Sequence, residues 1–204
     1  MGEGRCGTVI RTMPQMTEQA STRNRGLLIG MAAVVGLSLI AGVAYLPSAF
    51  RELVHTRTFR IVGESMVPAL YVDDYVTADT GYYADHPIAD GDIIVFRHNG
   101  TVLVKRVLAV GGETIEGRDG KLFRNGTILS EPYLKTHDEP SVQEEATFAP
   151  RLISQDEIFV AGDWRSRSLD SREAAYTPVG RSDVVGKVIY VYSSNHPGQQ
   201  GRKF

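Results

Sequence analysis

The sequence predicts a mostly β domain preceded by one N-terminal transmembrane helix. Three observations predict it. An uncharged apolar run extends from Gly26 to Leu46, about the length needed to cross a bilayer. After it come short apolar runs broken by turn signals such as Asn99-Gly100 and Asn125-Gly126, the pattern of strands and hairpins. Beyond Arg60 no segment shows sustained helical periodicity.

Composition narrows the function classes. The 204 residues are 42% hydrophobic and 23% charged, which suits a packed core. Net charge is −2 and the Lys and Arg residues are scattered, so nothing points to nucleic-acid binding through bulk electrostatics and no nucleic-acid partner is expected. The single cysteine, Cys6, excludes an internal disulfide framework and a cysteine zinc site. The five histidines, His55, His86, His98, His137 and His196, lack paired ligand spacing, so no metal is expected. No cofactor is expected either. "MGEGRC" carries Cys6 where a myristoylation signal needs Ser or Thr.

Taken in order, residues 1–25 read as a disordered cytoplasmic arm and 26–46 as a membrane anchor. Arg23 and Arg25 precede the run, while Tyr45 and Phe50 lie at its far interface. Basic residues before a span favour a cytoplasmic N-terminus, which places residues 47–195 outside as an extracytoplasmic β domain. Two other readings of the run are a cleaved signal peptide ending in "GVA" at Ala44 and a buried helix. The expected strands are "TFRIVG", "DDYVTAD", "GDIIVFRHNG", "TVLVKRVLAVGG", "KLFRNGTIL", "DEIFVAGD" and "DVVGKVIYVY". Residues 137–150, polar and rich in breakers, read as a surface loop. The polar stretch from Ser193, with 196–204 as a tail, is expected to fray.

Two residues stand out chemically. In "VGESMVPAL", Gly63 and Pro68 frame Ser65. Pro68 fixes its own φ and pushes Val67 towards an extended conformation, so Ser65 sits on a short stiff bend. The bland reading is a surface turn. Lys105 lies in the middle of "TVLVKRVLAVGG", sharing a face by alternation with Leu103, Val107 and Ala109. A lysine there either snorkels or pairs with an acid, or it is held dry. A free lysine at pKa ~10.4 is roughly 4–5 kcal/mol from acting as a base at pH 7. Desolvation lowers that pKa. An uncharged amine and a serine on a rigid bend are the two parts of a serine–lysine dyad. None of the histidines lies within an apolar strand that would orient it as the base.

Four stretches resemble the boxes of bacterial type I signal peptidases. "GESMVPAL" resembles the SMxPTL box, "GDIIVFR" the following strand, "LVKRVLAVGGE" the KRVxGxPGD box and "GDWRSRSLDSR" the GDNxxxSxDSR box. They occur in the family's order from about Phe59 to Arg172, behind an N-terminal anchor, and "NGTILSEPYL" is similar to the stretch between the last two. The resemblance implies twisted antiparallel sheets forming a partly open barrel of the signal-peptidase type. It implies a single-pass endopeptidase of the bacterial inner membrane, with its catalytic domain on the outer face. Its partners would be the lipid bilayer and the signal peptides of secreted preproteins, cut after A-x-A-like small residues. Ser65 is then the nucleophile, Lys105 the general base and Ser168 the residue that orients the amine. Arg106, Asp163, Asp170 and Arg172 match charged supporting positions. Phe59, Ile61, Met66, Leu70 and Val104 match residues lining pockets for small side chains.

The chain departs from the pattern at several places. Gly63 stands where some members carry a serine whose hydroxyl completes the oxyanion hole. Ala69 replaces threonine, and Trp164 replaces asparagine. Gly111-Gly112-Glu113 replaces Pro-Gly-Asp, which is expected to loosen that turn. The spacing between boxes implies a minimal form without an extra β domain. Three alternatives stay open on the sequence: a processing peptidase with few dedicated substrates, a self-cleaving repressor-type serine–lysine peptidase, and a non-enzymatic membrane-tethered β module.

Overall fold

The computed structural model describes residues 55–134, 147–173, 176 and 178–204. The arm at 1–25, the anchor at 26–46 and most of the expected loop lie outside the described residues. Among the described residues no helix is long and apolar enough to cross a membrane.

Eleven strands form among those residues: β1 (Thr56–Arg60), β2 (Tyr75–Asp79), β3 (Ile93–His98), β4 (Thr101–Val110), β5 (Thr114–Arg118), β6 (Lys121–Arg124), β7 (Thr127–Ile128), β8 (Phe148–Leu152), β9 (Glu157–Ala161), β10 (Val179–Gly180) and β11 (Val184–Ser193). They make two antiparallel sheets, one of seven strands in the order β1-β2-β11-β3-β4-β9-β10 and one of four in the order β7-β6-β5-β8. The edge strands β1 and β10 do not pair with each other. The architecture is therefore mostly β with antiparallel sheets, as expected, and among the described residues neither sheet closes into a barrel.

Turn chemistry sets the register. Asn99 and Gly100 take φ of 47° and 76°, and Asn125 and Gly126 take 50° and 78°, the left-handed pair that two-residue hairpins require. Asp119-Gly120, at 49° and 74°, closes a third hairpin onto β5. Its strand "TIEGR" carries a single large apolar residue, so it escapes a reading based on apolar runs.

The core explains why β3 and β4 are apolar on both faces. Ile93 and Val95 join Met66, Leu70, Val76, Val188 and Val191 in one buried cluster. Ile94 and Phe96 join Val107, Ile158 and Val160 in another. A β-bulge interrupts the β4–β9 register between Val107 and Ala109. Leu103 and Val107 accordingly pack with Ile94, whereas Ala109 packs with Leu108, Ile115 and Phe159. Strict alternation from Lys105 thus fails at Ala109, because the extra residue resets which side chains face which way.

Three further expectations are corrected. The loop ends before 150, since Phe148, Ala149 and Pro150 already belong to β8; β8 is an edge strand, where proline is tolerated. The turn at Gly111–Glu113 is pinned. The Gly112 N–H donates to the Ile153 carbonyl at 2.9 Å, and the Glu113 carboxylate accepts from the Val110 N–H at 2.8 Å. A Cβ on Gly111 would meet the Gln155 carbonyl oxygen at 2.5 Å, so only glycine fits. The tail is folded, since Val191 N–H donates to Arg202 O at 2.9 Å and Gly201 N–H to Val191 O at 2.8 Å.

Candidate active site

Ser65 lies on the tight turn that leads from β1 towards β2. Val67 N–H donates to Glu64 O and Leu70 N–H to Met66 O, each at 2.9 Å; the Val67–Pro68 peptide is cis. Burial fixes the turn from below. Met66 is 2% and Leu70 0% exposed, and each such side chain contributes about 1.5–3 kcal/mol on leaving water. Ser65 itself is half-buried, held between that anchored floor and solvent.

Lys105 comes from the middle of β4, opposite Ile94 of β3. It is 5% exposed, and its Nζ lies 2.6 Å from Ser65 Oγ. Burial lowers the amine from 10.5 to about 8; Asp170 and Asp163 pull it up and Arg172 pushes it down, with burial dominating. A dry amine beside a hydroxyl can take that hydroxyl's proton.

Ser168 follows a 3-10 turn, Arg165–Arg167, and is buried. Its hydroxyl donates to Asp170 Oδ2 at 2.5 Å. Asp170 also accepts from the Gly162 N–H at 2.9 Å and from Arg172 Nε at 2.8 Å. Burial pushes the Asp170 carboxyl up, but Arg172, Ser168 and the Gly162 N–H together hold it below the ordinary value. Arg106 and Asp163 form a buried two-point pair at 2.8 and 2.7 Å. Such a pair costs desolvation and is not by itself a stabiliser, but losing one partner leaves the other charge stranded. Arg106–Asp163 thus ties β4, which carries Lys105, to the segment after β9, and Arg172 ties Asp170 to the Arg165 and Ser168 carbonyls.

Of the five expected pocket residues, Ile61, Met66 and Val104 line a groove of about 140 Å³ that also contains Ser65 and Lys105. Arg60, Val62, Gly63, Val102 and Leu103 complete its wall. Phe59 and Leu70 do not line it; Leu70 is in the core cluster and Phe59 packs against it. A larger cavity of about 250 Å³, lined by Asp90, Arg124 and Tyr133, contains neither Ser65 nor Lys105.

Four contributors escape the sequence reading. Trp164 N–H donates to the Ser65 carbonyl at 2.9 Å, so the backbone at the departing tryptophan supports the Ser65 turn directly. A Cβ on Gly162 would stand 2.4 Å from Ser168 Oγ and 2.5 Å from Ser65 O, which makes this glycine a spacer between two expected site residues. Arg165, 4% exposed, pairs with Glu131 and donates to Gly162 O at 2.9 Å. Tyr133 stacks on the Arg106 guanidinium at 4.0 Å. Glu131 and Tyr133 both fall in "NGTILSEPYL", but nothing in a linear pattern tells that stretch to meet Arg165 and Arg106.

The family model described as signal peptidase, peptidase S26, matches residues 31–193. A signal peptidase I from Leptolyngbya laminosa is 29% identical over 187 residues, covering 85% of this chain and 81% of the relative. Signal peptidase I U from Bacillus subtilis strain 168 is 30% identical over 164 residues, covering 78% and 86%. Among solved structures, a signal peptidase I from Enterococcus faecalis V583 is 31% identical, covering 50% of this chain and 97% of that one, with a TM-score of 0.41. With the match running through both sheets and all four boxes, the chain belongs to the signal peptidase family, peptidase S26, and is a serine peptidase, a hydrolase of peptide bonds.

Proposed function

We propose that the chain cuts signal peptides from exported preproteins with Ser65 as nucleophile and Lys105 as general base. The observation that carries this reading is the 2.6 Å approach of Ser65 Oγ to a lysine amine that is 5% exposed. The neutral amine takes the Ser65 proton as Oγ attacks the scissile carbonyl carbon. The resulting ammonium then protonates the leaving amine, and the acyl group stays on Ser65 until water, deprotonated by the same amine, releases it. The Ser65 N–H donates to the oxyanion, a contribution of about 3–4 kcal/mol for one well-placed donor.

Ser168 orients the base. Its hydroxyl donates a hydrogen bond to Asp170, so its oxygen lone pairs are left to accept from Lys105. Arg106, Asp163, Asp170 and Arg172 hold these loops and touch no substrate. The substrate lies extended beside β4. Over Thr101–Lys105 this strand pairs with β3 on one side, and its pairing with β9 begins only at Arg106. Ile61, Met66 and Val104 offer a shallow apolar wall to small side chains, which suits cleavage after A-x-A-like sequences. Residues 26–46 anchor the enzyme in the bacterial inner membrane with the N-terminus cytoplasmic and the catalytic domain outside. There the substrate's own apolar segment is concentrated.

The test is incubation of the detergent-solubilised chain with a model preprotein, followed by mass mapping of the cut. A single cut after a small residue, lost in Ser65→Ala and in Lys105→Ala, is the expected result. Absence of any cut by the unaltered chain, or full cleavage by Ser65→Ala, overturns the reading.

A further inference from the structure

The geometry points to Gln199 and Arg202 as positioning residues for the nucleophile, acting through a C-terminal clasp on the turn that carries Ser65. The local sequence builds the clasp. In "HPGQQGR", Pro197 and Gly198 occupy the centre of a turn closed by Gln199 N–H to His196 O at 3.2 Å, with Gly198 at φ 76°. Gly201, at φ 79°, takes the same place in a second turn, closed by Arg202 N–H to Gln199 O at 3.0 Å. Proline then a positive-φ residue is the signature of a type II turn, and glycine takes that second place without steric cost. Two successive turns bring the chain back along β11. There Lys203 bridges Tyr190, Phe204 N–H donates to Ile189 O at 3.1 Å, and the Phe204 ring packs against the cluster holding Met66 and Leu70.

From this base three side chains reach the nucleophile turn. Gln199 Nε2 and an Arg202 guanidinium nitrogen converge on the Pro68 carbonyl at 3.4 and 3.3 Å. Arg202 also donates to Gln199 Oε1 at 3.3 Å, tying the two together. His196 stacks on Tyr71 with ring centroids 3.9 Å apart. Pro68 is three residues beyond Ser65, whose own carbonyl is held by Trp164 N–H. The turn is thus gripped at both ends, by the loop before Ser168 at one and by the clasp at the other. Without the clasp, the second end would keep its burial and its local bonds, Leu70 N–H to Met66 O and Tyr71 N–H to Asp74 Oδ2, but lose its tie to the segment along β11, and small displacements of a reacting atom are expensive in rate.

This inference rests on Ser65 being the nucleophile. Its test is the double variant Gln199→Ala/Arg202→Ala in the full chain, assayed for preprotein cleavage and for amide hydrogen exchange at Val67 and Leu70. The clasp predicts about a fivefold to tenfold fall in kcat with KM within twofold. It also predicts faster exchange at both amides, an unchanged melting temperature within about 2 °C, and partial recovery of kcat in Gln199→Ala/Arg202→Lys, which still offers a donor to Pro68 O. An unchanged kcat and exchange rate in the double alanine variant overturns it, as does a fall in kcat that tracks a lowered melting temperature. Failure of the unaltered chain to cleave defeats the proposed function instead, while the exchange measurement still reports on the clasp.

Discussion

Ser65 Oγ and Lys105 Nζ stand 2.6 Å apart although 40 positions separate them in the chain. Burial holds the lysine amine near pKa 8 instead of 10.5. At pH 7 about one amine in ten is then neutral, against a few in ten thousand for a free lysine. In the proposed mechanism the neutral form is the base, so kcat/KM should rise about tenfold between pH 7 and pH 9 and level off above it. A rate measured flat from pH 6 to 10 is incompatible with Lys105 as the titrating base.

The same burial that makes the amine a base at neutral pH costs the fold stability there. Below pH 8 both folded and unfolded chains carry the Lys105 proton, and the fold bears the cost of burying the charge. Between about 8 and 10.5 the folded chain has released the proton while the unfolded chain retains it, so stability rises with pH across that window. Lys105→Met keeps the length and removes the charge. It should abolish cleavage yet stabilise the fold at pH 7 by up to about 3 kcal/mol, a gain that fades towards pH 10.5. Urea midpoints at the two pH values check this; a variant less stable than the parent at pH 7 contradicts it.

Gly162 separates two of the residues that the proposed mechanism uses. A methyl group there would overlap Ser168 Oγ at 2.4 Å and Ser65 O at 2.5 Å. One of the two must move, and a displacement near 1 Å can cost about 100-fold in rate. Gly162→Ala should therefore lose about 100-fold in kcat, with substrate binding little changed because the groove wall at Ile61, Met66 and Val104 is untouched. Wild-type kcat in this variant would show that the Ser65–Ser168 spacing does not matter.

The two residues of the proposed dyad stood out in the sequence because each sits in a context with a local physical meaning. Lys105 interrupts an apolar strand, and Ser65 lies between a glycine and a proline. The strands closed by Asn-Gly were legible for the same reason. What escaped depends on approach between distant segments. The Gly162 spacing, the Arg165–Glu131 pair and the Trp164 contact to Ser65 O have no signature in periodicity or spacing. The bulge after Val107 was hidden as well, because an apolar run looks alike in either register when both faces are buried. The clasp is a different case. Its Pro197-Gly198 pair is an ordinary turn signal, overlooked because a polar stretch at a chain end reads as fraying.

Gly63 offers a gain of function. The oxyanion in the proposed mechanism has the Ser65 N–H as donor, and some family members supply a serine hydroxyl at the position of Gly63. Here a Cβ at Gly63 meets no atom within 4 Å, and its φ lies outside the left-handed region where a side chain would be strained. Gly63→Ser can thus place a hydroxyl at the mouth of the groove without displacing Ser65 or Met66. Removing an established oxyanion donor typically costs 10²–10³ in kcat, while a new one on an exposed bend must also be ordered. A rise of about threefold to tenfold in kcat is therefore expected, with KM unchanged, because the hydroxyl acts on charge present only in the transition state. Steady-state cleavage of one preprotein by the parent and the variant decides it. Equal kcat values would mean that the hydroxyl does not reach the developing charge.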